Sequence, residues 1–133
     1  MREPALLLYW VSGVEGPAGA LDGGVLRPAT DIVECGDQIL ITIELAGAER
    51  DALGVSVVGD RLEVRAARYP QEPAGEGARH YLRREIVYAP FERVIVLPPD
   101  ADPHSLEAEY RDGMLRIRIR RRPPETPHRV PIT

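Results

Sequence analysis

Leu106-Glu107-Ala108-Glu109-Tyr110-Arg111-Asp112-Gly113-Met114-Leu115-Arg116-Ile117-Arg118-Ile119 is the stretch that decides the fold. Leu106, Ala108 and Tyr110 alternate with Glu107 and Glu109. After Asp112-Gly113, Leu115, Ile117 and Ile119 alternate with Met114, Arg116 and Arg118. Period-2 alternation gives each segment one apolar and one charged face, as in a strand with one side buried. Asp-Gly between two such runs is a hairpin turn, since both central residues of the tight turn need φ > 0.

The same pattern continues upstream. Ile39, Ile41, Ile43 and Leu45 alternate with Leu40, Thr42 and Glu44 and end at Ala46-Gly47. Leu53, Val55 and Val57 follow, then a turn at Gly59-Asp60, then Leu62, Val64 and Ala66. Residues 81–97 read as one long strand or two collinear ones, interrupted at Ala89-Pro90 and stopped by Pro98-Pro99. Helical periodicity is absent, apart from a turn at Glu49–Leu53. About seven short strands at this spacing predict an all-β, immunoglobulin-like antiparallel β-sandwich over residues 28–120. Residues 1–27, apolar and then Gly-rich, read as a flexible N-terminal arm. Residues 121–133, with Pro123, Pro124, Pro127 and Pro131, read as a tail that cannot enter a sheet interior. Arg68–Arg79, with Pro70, Pro73, Gly75 and Gly77, is a surface excursion between two strands.

Composition narrows the chemistry. The 133 residues form one domain with a formal charge of −4, and all 17 basic residues are arginine. Without lysine there is no P-loop, no kinase ATP site and no Schiff-base nucleophile. Cys35 is the only cysteine, so no intrachain disulfide forms and a cytoplasmic location fits. It lies near Glu34 and Asp37 rather than the basic groups a reactive thiol needs, and reads as a packing or surface residue. His80, His104 and His128 show no zinc spacing. Ser12, Ser56 and Ser105 lack a nucleophile-elbow context, and Gly75-Glu76-Gly77 precedes no helix. The carboxylates fall mostly on polar strand faces or in turns. Arg116, Arg118, Arg120, Arg121 and Arg122 lack interleaved aromatics for base stacking; they read as a wet strand face or as partners of nearby glutamates. No catalytic residue, cofactor, metal or nucleic-acid partner is expected. The apolar run Ala5–Val11 is too short to span a membrane and resembles a signal peptide only faintly; it reads as a sticky interaction segment.

Three motifs carry a family resemblance. Ala108-Glu109-Tyr110-Arg111-Asp112-Gly113-Met114-Leu115-Arg116-Ile117 resembles the A-x-Y-x-[DN]-G-x-L-x-[IV] signature of the bacterial-type small heat-shock proteins, the α-crystallin domain family. Phe91-Glu92-Arg93-Val94-Ile95-Val96-Leu97-Pro98 resembles that family's F-x-R-x-[FI]-x-L-P strand. Ile43-Glu44-Leu45-Ala46-Gly47 resembles its Leu-Pro-Gly turn, with Ala46 in place of the proline. Ile86 stands where bacterial members usually carry arginine, so a dimer salt bridge would fall to Arg83 or Arg84; Arg83, Arg84 and Arg93 on the long strand could tie subunits through bidentate pairing with carboxylates.

The resemblance implies an ATP-independent holdase chaperone that binds partly unfolded proteins and works as a dimer-based oligomer. Val130-Pro131-Ile132 projects two apolar side chains from one side of an extended segment, and Pro131 holds it extended. By residue chemistry alone this is a plug or simply a disordered tail; the family's I/V-x-I/V ending implies an anchor, Val130 and Ile132. The resemblance puts the receiving groove at Leu53 and Val55 on one wall and Leu106 and Ala108 on the other, positions that could equally face the core. It implies subunit exchange of the 68–79 excursion onto the partner's edge at residues 30–35, with Tyr81, Arg83 and Arg84 as dimer contacts. Leu6, Leu7, Leu8, Tyr9, Trp10 and Val11 are the expected client contacts. A monomeric CS-type co-chaperone that recruits a partner is the alternative; the tail motif and the long excursion argue against it.

Overall fold

The computed structural model describes residues 18–19, 21–71, 77–123 and 126–133. Two sheets pack face to face. The first holds β1 (Leu21–Asp22), β2 (Val25–Leu26), β5 (Gly54–Val58), β6 (Arg61–Ala67) and β7 (Pro90–Val96), in the order β1-β2-β7-β6-β5. The second holds β3 (Thr30–Cys35), β4 (Gln38–Glu44), β8 (Glu107–Arg111) and β9 (Met114–Arg120), in the order β3-β4-β9-β8. Every pairing is antiparallel except a single parallel step, Leu26 opposite Phe91.

Register explains the core. Ile39, Ile41 and Ile43 on β4 stand opposite Ile119, Ile117 and Leu115 on β9. On the facing sheet Leu62 opposes Ile95 and Ala66 opposes Phe91. All of these are buried. Directly opposed β-branched and aliphatic pairs are what stabilise a sheet face. With Phe91 the only phenylalanine, the core is aliphatic. On the outer face of the second sheet, Glu107 opposes Arg118 and Glu109 opposes Arg116. Arg116, Arg118 and Arg120 thus form an exposed face, the first two opposite glutamates.

The β8–β9 hairpin turns at Asp112 and Gly113, with φ of 56° and 73°. Gly113 also abuts the 45–47 turn: a Cβ there would lie 3.2 Å from the Ala46 Cα, and its carbonyl accepts from the Leu45 N–H at 2.8 Å. Left-handed backbone and a close backbone neighbour act together. Gly113→Ala is therefore expected to cost about 1–2 kcal/mol, read as an earlier thermal unfolding midpoint.

Three sequence expectations change. Residues 81–88 form no strand; the sheet resumes only at Pro90. A strand needs a partner, and β6 ends at Ala67 opposite Pro90, so the residues before Pro90 run past its end. The excursion accordingly runs to residue 89 rather than 79. The first two strands fall inside the segment read as an arm, because Gly23 and Gly24, both at positive φ, turn Leu21–Asp22 back on Val25–Leu26. Arg93 faces inward, opposite Val64, is 8% exposed and donates from Nη1 to the Pro28 carbonyl at 3.3 Å, so it serves its own chain rather than a subunit tie.

Candidate functional site

Strand β5 is the outer edge of one sheet and β8 the outer edge of the other. They lie on the same flank. Arg50, in the 3₁₀ turn Arg50–Ala52 before β5, lies over the Tyr110 ring at 5.8 Å and donates to the Tyr110 carbonyl at 3.4 Å. The Tyr110 hydroxyl in turn donates to the Leu45 carbonyl at 2.6 Å.

Inward-facing side chains of the two edge strands are incompletely covered. Val55 and Val57 pair with the buried Val64 and Leu62, yet both are half-buried, as is Leu53 just before the strand. Ala108 pairs with the buried Ile117, so it shares the inner face of its sheet, yet it is exposed. Leu106 is half-buried against the core. An edge strand has a neighbour on one side only, so the inward side chains of β5 and β8 are covered less than those of the central strands. Leu53, Val55, Leu106 and Ala108 are brought to this one flank. Leu53, Val55 and Leu106 pack against the core while remaining half-buried, and Ala108 is exposed.

Leu106 is set in place by polar contacts of the 3₁₀ turn Pro103–Ser105. Asp102 Oδ1 accepts from the His104 N–H at 3.0 Å. The Ser105 hydroxyl donates to the Asp102 carbonyl at 2.7 Å and accepts from the Arg120 N–H at 2.8 Å. Ser105 is thereby committed to fixing the turn against β9.

The tail residues Val130 and Ile132 are 70% and 99% exposed. The tail leaves the sandwich at a clamp the sequence did not reveal. Arg121 Nε pairs with Asp100 Oδ2 at 2.7 Å, and Nη1 approaches Glu34 Oε2 at 3.5 Å. Its backbone N–H donates to the Asp37 carbonyl at 2.7 Å. The hydrogen bond it donates to Asp100 holds the Arg121 guanidinium above its ordinary pKa. In sequence Arg121 is one arginine of five at the end of a strand, and nothing local marks it.

In the excursion, Tyr69, Tyr81, Leu82 and Ile86 are exposed. Arg84 lies over the Tyr81 ring at 4.7 Å, and Arg83 pairs with Glu85 at 3.5 Å on the surface. Leu6, Leu7, Leu8, Tyr9, Trp10 and Val11 lie outside the described residues, as do residues 72–76 of the excursion. Among the described residues no cluster of His, Cys, Asp or Glu is arranged to hold a metal, and no helix is long and apolar enough to cross a membrane.

A family model, Hsp20/alpha crystallin family, matches residues 31–133. The chain belongs to the Hsp20/alpha crystallin family. Its relatives include 18 kDa antigen 2 of Mycobacterium avium, 32% identical over 112 residues that cover 82% of this chain and 78% of that protein. Small heat shock protein C4 of Rickettsia felis is 27% identical over 95 residues, 71% of this chain and 57% of that protein, so the chain spans just over half of that relative. Among solved structures, a small heat-shock protein from Xylella fastidiosa superposes with a TM-score of 0.66 at 27% identity, over 80% of this chain and 95% of that one. HSP18.5 from E. histolytica gives 0.64 at 24% identity, over 80% and 98%, a likeness of fold. The resemblance carried by the three motifs is therefore family membership. The sandwich is the α-crystallin domain of this small heat shock protein family, whose members are chaperones.

Proposed function

We propose that this small heat shock protein is an ATP-independent holdase, working in the cytoplasm as a dimer-based oligomer. The observation that carries the reading is the open apolar flank between Leu53/Val55 and Leu106/Ala108 together with the exposed pair Val130 and Ile132 of the tail. A preformed slot and a proline-stiffened segment with apolar side chains at i and i+2 match without much ordering cost. One chain's tail occupies another chain's slot in the assembly. Exchange then opens slots, and with them apolar surface for partly unfolded clients. The apolar segment Leu6–Val11 is the main client contact.

The dimer forms through the excursion. Tyr81, Leu82 and Ile86 leave the sandwich exposed. Strand β3 is an edge of its sheet with its outward backbone groups free to pair. Adding the partner's 81–88 segment to this edge gives both elements what they lack, and places Tyr81, Arg83 and Arg84 at the contact.

The test is suppression of heat aggregation of a thermolabile client, followed by light scattering with and without ATP. Equal, dose-dependent suppression in both conditions is expected. Unchanged client aggregation at a molar excess of this protein would overturn the holdase reading.

A further inference from the structure

Arg68 is the first residue after β6, where the excursion begins, and it is half-buried. Its Nε and Nη2 donate to the Val87 carbonyl at 2.9 and 2.6 Å, and its Nη1 donates to the Ala46 carbonyl at 2.9 Å. The guanidinium carbon lies 5.0 Å from the centre of the Phe91 ring. Its backbone N–H donates to the Ala89 carbonyl at 3.1 Å. One side chain thus joins three segments far apart in sequence: the entry stem of the excursion, its exit stem, and the 45–48 turn.

The turn is shaped to receive it. Gly47 has a φ of 71°, and a Cβ there would lie 3.1 Å from Arg68 Cδ. The neighbouring Glu49 N–H donates to the Ala67 carbonyl at 2.9 Å. From the turn the chain passes through Arg50–Ala52 directly into Leu53 and Val55. Tyr110, on the opposite edge strand, holds the Leu45 carbonyl. Arg68 therefore stands between the base of the excursion and the start of the apolar slot.

We infer that Arg68 is a positioning residue: its forked guanidinium clasps both stems of the 68–89 excursion to the 45–48 turn, so that the direction of the excursion and the entrance of the slot are held as one unit. Its bearing on assembly rests on the proposed dimer. The chemistry requires arginine. The planar fork reaches two carbonyls and stacks on a ring at once, and a lysine ammonium cannot span that geometry.

Hydrogen–deuterium exchange of the full chain tests this, comparing wild type with Arg68→Lys and Arg68→Ala. Peptides covering residues 45–53 and 84–90 are expected to exchange about tenfold faster in both variants, as loss of charge-assisted bonds predicts. Peptides from β4 and β9 should keep wild-type rates. Acceleration of only one of the two segments, or wild-type exchange in Arg68→Lys, would overturn the clasp. If Arg68→Ala loosens β4 and β9 as well, Arg68→Lys decides, since it keeps the charge and the aliphatic stem. Native mass measured alongside separates the two ideas. Accelerated exchange with a smaller or more readily dissociating assembly supports both. Accelerated exchange with an unchanged assembly supports the clasp and overturns the dimer through the excursion.

Discussion

Truncation after Arg122 is expected to convert the proposed large assemblies mainly to dimers, and Ile132→Ala to shift the same equilibrium in the same direction. Ile132 is 99% exposed in the single chain, so in the proposed assembly all of its burial would be gained there. Burying an isoleucine side chain contributes about 2 kcal/mol, roughly a thirtyfold change in the equilibrium constant for each tail and slot. In a closed particle every subunit loses that contact, so a modest change per site becomes a large change in particle size. The truncation leaves β9 and the Arg121–Asp100 pair intact, so the sandwich itself should unfold at its usual temperature. Multi-angle light scattering reads the outcome: a particle of unchanged mass after truncation would show that the tail does not hold the assembly together.

Ile117→Ala is expected to have the largest effect on folding. Ile117 is 1% exposed, opposite Ile41 on β4 and Ala108 on β8, at the centre of the second sheet's inner face. Its neighbours belong to a close-packed aliphatic core and cannot collapse into the space left behind. The cost is about 3–4 kcal/mol, a large share of the roughly 5–15 kcal/mol that holds a domain folded. Circular dichroism should place the midpoint about 15 °C lower. Val96→Ala is the matched control: Val96 is 65% exposed on an outer face, and its loss should stay within about 0.5 kcal/mol. Equal shifts for the two variants would mean that the inner and outer faces are wrongly assigned.

The hairpin Glu107–Arg120, the β4 strand and the Val58–Arg61 turn were legible because alternation and turn residues are local signals. The three motifs were likewise legible as a family pattern, because they too are runs of neighbouring residues. The misreading of 81–88 has a clear cause. Those residues have strand composition, but pairing is a property of neighbours, and within this chain β6 ends at Ala67 opposite Pro90 and leaves nothing beside them. Arg93 shows the complementary limit. Its position in the alternation Phe91-Arg93-Ile95 places it on the inner face, but its charge favours reading it as a tie between subunits; in the fold it is buried and donates to the Pro28 carbonyl.

Sequence by itself determined which side of each strand is apolar, where the chain turns, that lysine chemistry is excluded, and which family the motifs belong to. These follow from side-chain type and spacing along one segment. Only the tertiary structure decided which strands are edges, and hence which inward-facing side chains stay uncovered. It also brought Ala46, Arg68 and Val87 together, and Glu34, Asp100 and Arg121. Such contacts join positions far apart in the chain, and they exist only once the packing of the two sheets has chosen them.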